Sequence, residues 1–181
     1  MCGSFCTLQK AVEQLRLLIE EGAEVLPVMS QTAYETDTRF GTAKEWIEKV
    51  EVLCGRPVLH TIVEAEPIGP KRMVELMVVA PCTGNTAAKL ANGITDTPVT
   101  MAVKSSLRNR IPVLLTMATN DALSTSAQNI GRLMNVKHLF FTPMAQDDPV
   151  KKPNSLVADF TRLPAAAGAA LKGEQLQPLL L

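Results

Sequence analysis

Apolar positions along the chain recur with two spacings, one helical and one extended, and the two alternate. Leu8, Ala11, Val12, Leu15, Leu18 and Ile19 fall on one stripe of a helix, with Lys10, Glu13, Gln14 and Glu20 left for water. Thr7 stands at the capping position and Gly22 at the left-handed stop. Glu24–Ser30 then reads as a short strand, weakened by Pro27, which removes a ladder donor. A second helix fits Thr42–Leu53 and would bury Trp46, Ile47, Val50 and Leu53. Residues 54–70 hold three prolines and little periodicity, so they read as a long loop.

Met73–Ala80 is an uninterrupted apolar-rich run, which predicts a central strand, and Pro81 opens the turn after it. A helix follows over Thr86–Asn92 and stops at Gly93. Asp96 or Thr97 caps the next helix, with Pro98 in its first position. Ile111–Thr119 is a further strand, Asp121–Asn135 a helix, and Lys137–Thr142 the last clear strand. A final helix is expected over Ser155–Leu171, with Gly173 onward as a tail.

Strands that are continuously apolar and alternate with helices favour a parallel sheet covered on both faces. The expected fold is a three-layer α/β/α sandwich with a Rossmann-like, flavodoxin-like sheet. Residues 1–181 suit one domain, with 144–181 as its C-terminal loop, helix and tail. The start departs from that pattern. Met1-Cys2 is too short for the strand that should precede the first helix, so an upstream segment is expected to be missing.

Charge and cysteine content narrow the function. Lys plus Arg and Asp plus Glu are balanced at 18 each, which argues against a dedicated nucleic-acid or membrane-surface binder. The same balance permits self-association. Cys2, Cys6, Cys54 and Cys82 have no metal-ligand spacing, so no metal site is expected. They read as reduced thiols of a cytoplasmic protein without a signal peptide.

In open parallel sheets, ligands sit beyond the carboxyl ends of the strands, near helix N-termini. Four segments meet that condition: Gly3–Thr7, Ser30–Thr32, Pro81–Thr86 and Thr119–Asp121. All are rich in small hydroxyl and amide residues, which suit phosphate oxygens and the polar edge of a heteroaromatic ring. Each could equally be an ordinary capped turn. Their number favours a site.

Pro81–Asp96 resembles the long motif of the homo-oligomeric flavin-containing cysteine decarboxylases. Its proline, hydroxyl residue, Asn-Thr pair, lysine, alanine, glycine and aspartate are met by Pro81, Thr83, Asn85, Thr86, Lys89, Ala91, Gly93 and Asp96. That resemblance implies FMN bound between subunits of a trimer or dodecamer. It places Gly3, Ser4, Ser30, Pro81, Thr83, Asn85, Thr86, Thr119 and Asn120 around the flavin, with Asn85 and Asn120 as catalytic candidates.

Further segments are similar to one branch of that family, the B subunits of dipicolinate synthases. They are Tyr34–Gly41, Ile62–Pro70, Ser106–Asn109, Thr119–Leu123, Gln146–Pro149, Lys152–Ser155 and Leu176–Pro178. The branch implies an oxidoreductase component acting with a nicotinamide-dependent A subunit in sporulating bacteria, on a small dicarboxylate. Arg39 and Arg108, with Lys104 and Arg110, are candidates for pairing with its carboxylates, or are plain solvated charges. Glu64 and Glu66 read as an acid/base pair or as surface carboxylates. His60 lies in the region of the decarboxylases' catalytic histidine, though a loop histidine is also an ordinary surface residue. His138 reads as packing or surface, and Cys82 as a small buried filler.

Two rival functions stay open. One is FMN-dependent decarboxylation of a cysteinyl or related acid, although no cysteine follows Cys82 and Ala118–Asp121 keeps only the asparagine of the decarboxylases' motif. The other is a non-catalytic FMN-binding assembly subunit.

Overall fold

The computed structural model describes residues 1–181. Helix α1 (Leu8–Glu20) follows a 3₁₀ turn over Phe5–Thr7. Thr7 does not cap it through its side chain, because its hydroxyl donates to the Ser4 carbonyl at 2.9 Å and closes the loop on itself. Ser30 caps the short helix α2 (Gln31–Glu35) by accepting from the Ala33 amide. Thr42 caps α3 (Ala43–Cys54), which buries Trp46 and Val50 and leaves Ile47 and Leu53 half-buried.

The expected loop over 54–70 is in part helical. It carries α4 (Ile62–Ala65) and a 3₁₀ turn, Glu66–Ile68. The signal was Thr61 followed three residues later by Glu64, a reciprocal capping box. It stood between prolines and carried too short an apolar run to show a period.

Strand β1 (Met77–Cys82) is followed by α5 (Gly84–Ala91) and α6 (Pro98–Arg108), capped by Thr83 and Thr97. Then come β2 (Val113–Thr119), α7 (Ala127–Met134) and β3 (Leu139–Phe141). β1, β2 and β3 are parallel, with Met77 beside Val113 and Val113 beside Leu139. The strand expected over Glu24–Ser30 is reduced to one parallel bridge, Val28 to Leu59.

The C-terminal region departs most from expectation. Ser155–Leu171 is not one helix: β5 (Leu156–Ala158) comes first, then a 3₁₀ turn over Phe160–Arg162, then α8 (Leu163–Leu171). Asp159 ends the extended segment by accepting from the Thr161 amide, and Pro164 suits only a first helical turn. β5 pairs antiparallel with Ala118–Thr119 and with β4 (Met144–Ala145), adding antiparallel strands to the parallel core. The segment after Gly173 is tied down as well. The Gln175 amide donates to the Phe141 carbonyl at 2.7 Å and accepts from its N–H at 2.8 Å.

Side-chain alternation on β2 sorts the helices into two layers. Val113, Leu115 and Met117 pack with Val99, Val103, Ile130 and Leu133 of α6 and α7. Leu114 faces the other way, onto Ala166, Ala167 and Ala170 of α8. α1 and α3 cover Met29 on their own cluster. The result is the three-layer α/β/α sandwich with a mostly parallel sheet. Each fully buried leucine or methionine here contributes about 1.5–3 kcal/mol relative to exposure. No helix is long and apolar enough to cross a membrane.

Candidate functional site

Strand direction brings the loops after the strands to one edge, and the four sequence segments meet there in a row. Met1 and Cys2 lie between the Val28 segment and β1. The Ser30 amide donates to the Met1 carbonyl at 2.9 Å, and the Cys2 amide to the Pro81 carbonyl at 3.2 Å. Gly3 is so close to α2 that a Cβ on it would stand 2.9 Å from Thr32 Cγ2. The Thr86 hydroxyl donates to Cys2 Sγ at 3.3 Å, which joins the first loop to the third.

The third and fourth loops touch through Gly84. A Cβ there would lie 2.7 Å from Thr119 Oγ1, 2.8 Å from Ser126 Oγ and 2.9 Å from Asp121 Oδ1. Asp121 organises that contact: its Oδ1 accepts from the Thr119 hydroxyl and, at 2.9 Å, from Ser126. Asp121, the last residue of the fourth candidate segment, and Ser126, which stood among no candidates, hold the edge together. The signal was an Asp within reach of hydroxyls on both sides of a turn, which reads from sequence only as a cap.

Each candidate occupies a definite place. Ser30 is buried and committed to the α2 cap. Thr83 caps α5, accepting from the Thr86 amide at 3.2 Å and donating to its hydroxyl at 3.1 Å. Pro81 is buried in β1. Asn85 and Asn120 are exposed, and neither side chain has a hydrogen-bond partner within the chain. The α5 N-terminus therefore presents free amides and an uncommitted side chain, a donor set suited to phosphate oxygens. Lys89 adds no free charge: its ammonium is taken by Asp96 at 2.8 Å, which holds that carboxyl below the usual range.

Arg39 is exposed in the turn after α2, with its guanidinium over the Phe40 ring at 4.9 Å. Arg108 is not brought to this edge. It ends α6, which leads into the amino end of β2, so it lies at the opposite end of the strands. Arg110 shares that end, and Lys104 reaches the Thr95 hydroxyl at 3.3 Å. Glu64 is a helix cap rather than half of an acid/base pair. The Thr61 hydroxyl and the His60 and Thr61 amides donate to it and lower its pKa.

His60 directly follows Leu59, whose bridge to Val28 puts it at the same carboxyl edge. Its ring stacks on Tyr34 at 4.0 Å between centroids and 3° between planes. The loop-like sequence around it hid the third pairing segment that positions it. His138 lies before β3, at the far end. Cys82 is fully buried, and burial pushes its thiol well above the ordinary range, as expected of a filler. No cluster of three or more His, Cys, Asp or Glu side chains that could hold a metal is present.

Comparison with known proteins places the chain in a family. The chain is 49% identical over 181 residues to the dipicolinate synthase B subunit of Bacillus subtilis (strain 168), matching 100% of this chain and 90% of the relative. The crystal structure of the dipicolinate synthase B subunit from Bacillus halodurans superposes with a TM-score of 0.90 at 46% identity, covering 99% of this chain and 92% of that one. Burkholderia xenovorans DmrB in complex with FMN, a cubic protein cage for redox transfer, shares the fold at a TM-score of 0.68 and 21% identity, over 94% of this chain and 92% of that one. The Flavoprotein family model matches residues 1–161, and with these likenesses the chain belongs to the Flavoprotein family.

Proposed function

We propose that this chain is the flavin-carrying B subunit of a dipicolinate synthase. In this reading residues 1–181 form one flavoprotein unit that carries FMN. Gly3, Ser4, Ser30, Pro81, Thr83, Asn85, Thr86, Thr119 and Asn120 are the residues that would surround and hold the flavin. The observation that supports it is the row of four loops, joined by the Cys2–Thr86 and Gly84–Thr119 contacts, with free amides and two uncommitted asparagines. When bound, FMN supplies a two-electron acceptor.

The chain's own residues hold and orient. The Gly3 N–H and the Gly84 and Asn85 N–H groups of α5 take the phosphate, with the Ser4 hydroxyl beside them, since the Ser4 N–H already donates to the Cys2 carbonyl at 2.8 Å. Asn85 and Asn120 bind the polar edge of the ring or the substrate. Arg39 takes one carboxylate of a small dicarboxylate. Arg108 can join only from a neighbouring copy, in keeping with a homo-oligomer. His60, held by Tyr34, is the imidazole placed to accept or return a proton.

The reaction is the two-electron oxidation of a dihydrodipicolinate-level precursor to dipicolinate, shared with a nicotinamide-using A subunit. Its setting is the cytoplasm of the mother cell in a sporulating bacterium. The test is dipicolinate formation, followed by its ultraviolet absorbance, with the A subunit present and with or without this chain and FMN. Formation that requires both supports the proposal. Turnover of a cysteinyl peptide by the chain alone replaces it with the decarboxylase reading. Dipicolinate formed at the same rate without FMN leaves a non-catalytic assembly role.

A further inference from the structure

The end of the sheet opposite the flavin edge carries a cluster of cations. Arg110 and Lys137–His138 stand in the turns that lead into β2 and β3, which meet where the Val113 amide donates to the His138 carbonyl at 2.8 Å. Arg132 lies in the last turn of α7, and Lys172 precedes Gly173, which shares a groove with Lys137 and His138. All five side chains are exposed. None of the four lysines and arginines has a carboxylate partner within the chain, and the Arg132 guanidinium reaches only the Asn92 amide oxygen, at 3.1 Å. Across residues 110–113, 132–141 and 172–179 the only acid is Glu174.

Arg110 and His138 also have left-handed backbone, with φ of 59° and 64°. Glycine enters that region freely, and Gly22, Gly55, Gly93 and Gly173 occupy it at the stops of α1, α3, α5 and α8. The stop of α6 carries Arg110 instead. Its amide donates to the Leu107 carbonyl and the Ile111 amide to the Ser106 carbonyl, each at 3.0 Å. A side chain kept there against the backbone's preference points to a use outside the turn. Beside these cations, between β3 and the tail, lies a groove of about 420 Å³ lined by Met134, Val136, Leu139, Phe140 and Leu179. β3 pairs only with β2, so its other edge is open except where the Gln175 amide holds Phe141. Met134 and Val136 stay exposed on the rim.

Arginine, methionine and an apolar recess ringed by unpaired charge suit a protein partner of opposite sign. A nucleic acid fits less well: Phe140 is half-buried and Phe141 buried, so no exposed ring offers a stacking plane, and the chain's 18 cations are balanced by 18 acids. A second copy meeting the same face would set cation against cation. We infer, on the basis of the function proposed above, that this face docks the A subunit. An acidic segment of that subunit pairs with Arg110, Arg132, Lys137 and Lys172 and seats an apolar side chain in the groove beside β3. The face extends from Arg110 over β3 and α7, whereas α6 packs over β1 and β2, so Arg108 is left to a neighbouring copy. Docking there keeps the flavin edge of the same copy open to substrate.

The test is calorimetric titration of the FMN-loaded chain with purified A subunit, at about 50 mM and about 300 mM salt. The parent should bind, about tenfold or more weakly at the higher salt. Arg110→Glu combined with Lys137→Glu should weaken binding by about 100-fold or more and flatten the salt dependence. Val136→Asp should weaken it by about tenfold or more. Arg110→Gly and His138→Gly suit the left-handed backbone, so they should keep or raise Tm and still weaken binding. Lys10→Glu, at an exposed position of α1, should bind the A subunit within about twofold of the parent, and all the variants should keep FMN affinity within the same margin. Undiminished binding by the Glu and Gly variants overturns the inference and leaves the partnership standing. A parent that does not bind the A subunit at either salt overturns the partnership as well. A duplex oligonucleotide bound as tightly as the A subunit would make the face a general anion binder and overturn the inference too.

Discussion

Gly84 and Thr119 are so close that a Cβ on the glycine would stand 2.7 Å from the threonine hydroxyl. The turn after β1 therefore rests directly on the turn after β2, and the atoms it meets belong to short, hydrogen-bonded side chains that have little room to retreat. Gly84→Ala should push the two turns apart. The expected cost is about 1–3 kcal/mol of stability, as for overpacking elsewhere. FMN affinity should fall as well, read by flavin fluorescence quenching. Unchanged affinity would show that the two turns do not form one site.

Asp121 should matter for the same edge without touching a ligand. Its Oδ1 accepts from both Thr119 and Ser126, so Asp121→Ala strands two hydroxyls, Ser126 being buried. A loss of about 1–3 kcal/mol is expected in denaturant melts. Asp121→Asn keeps one oxygen acceptor and should recover most of it. Equal losses in the two variants would argue that charge, rather than acceptance, is what Asp121 provides.

Much of this edge was legible because its chemistry is local. Thr83, Thr97 and Ser30 cap helices, as the order of residues alone suggests, and continuous apolar runs mark β1 and β2. What stayed hidden depends on partners distant in sequence. β5 exists because Ala118–Thr119 and β4 pair with it, and nothing within Leu156–Ala158 distinguishes it from the start of the helix that follows. His60 reaches the edge only through the bridge between Leu59 and Val28, which has no signature in a proline-bearing loop. Conversely, Glu24–Ser30 carries strand chemistry but forms one bridge, since a strand is made by its pairing and local preference alone does not supply it.

Asn85 and Asn120 separate binding from folding. Both are exposed and make no intramolecular side-chain hydrogen bond, so Asn85→Ala and Asn120→Ala should each leave stability within about 0.5 kcal/mol of the parent. Loss of one ligand hydrogen bond of about 1.4 kcal/mol would weaken FMN binding about tenfold. Thermal melts and FMN titrations on the same samples check both halves. If affinity is unchanged in both variants, these amides do not contact the flavin.

Stability of chain 1–181 should peak between two titrations of opposite sign. The buried Met1 amine has its pKa lowered from 8.0, so the unfolded chain binds the extra proton at neutral pH. Stability from this group is full above 8.0 and declines as pH falls toward the folded value. On the alkaline side, burial raises the Cys54 thiol from 9.0 to about 11 and pushes the Cys82 thiol well above its ordinary range. The folded state then keeps protons that the unfolded chain releases, so stability falls as pH rises from 9 toward 11. Tm measured from about pH 6 to about pH 11 should therefore rise and then fall, and residues added ahead of Met1 should abolish only the rise. Alkylation gives an independent reading of the alkaline limb. Exposed Cys6 should react with iodoacetamide first, Cys54 should lag until near pH 11, and buried Cys2 and Cys82 should react only on unfolding. Fast labelling of Cys54 at about pH 8 would contradict the burial assigned to it.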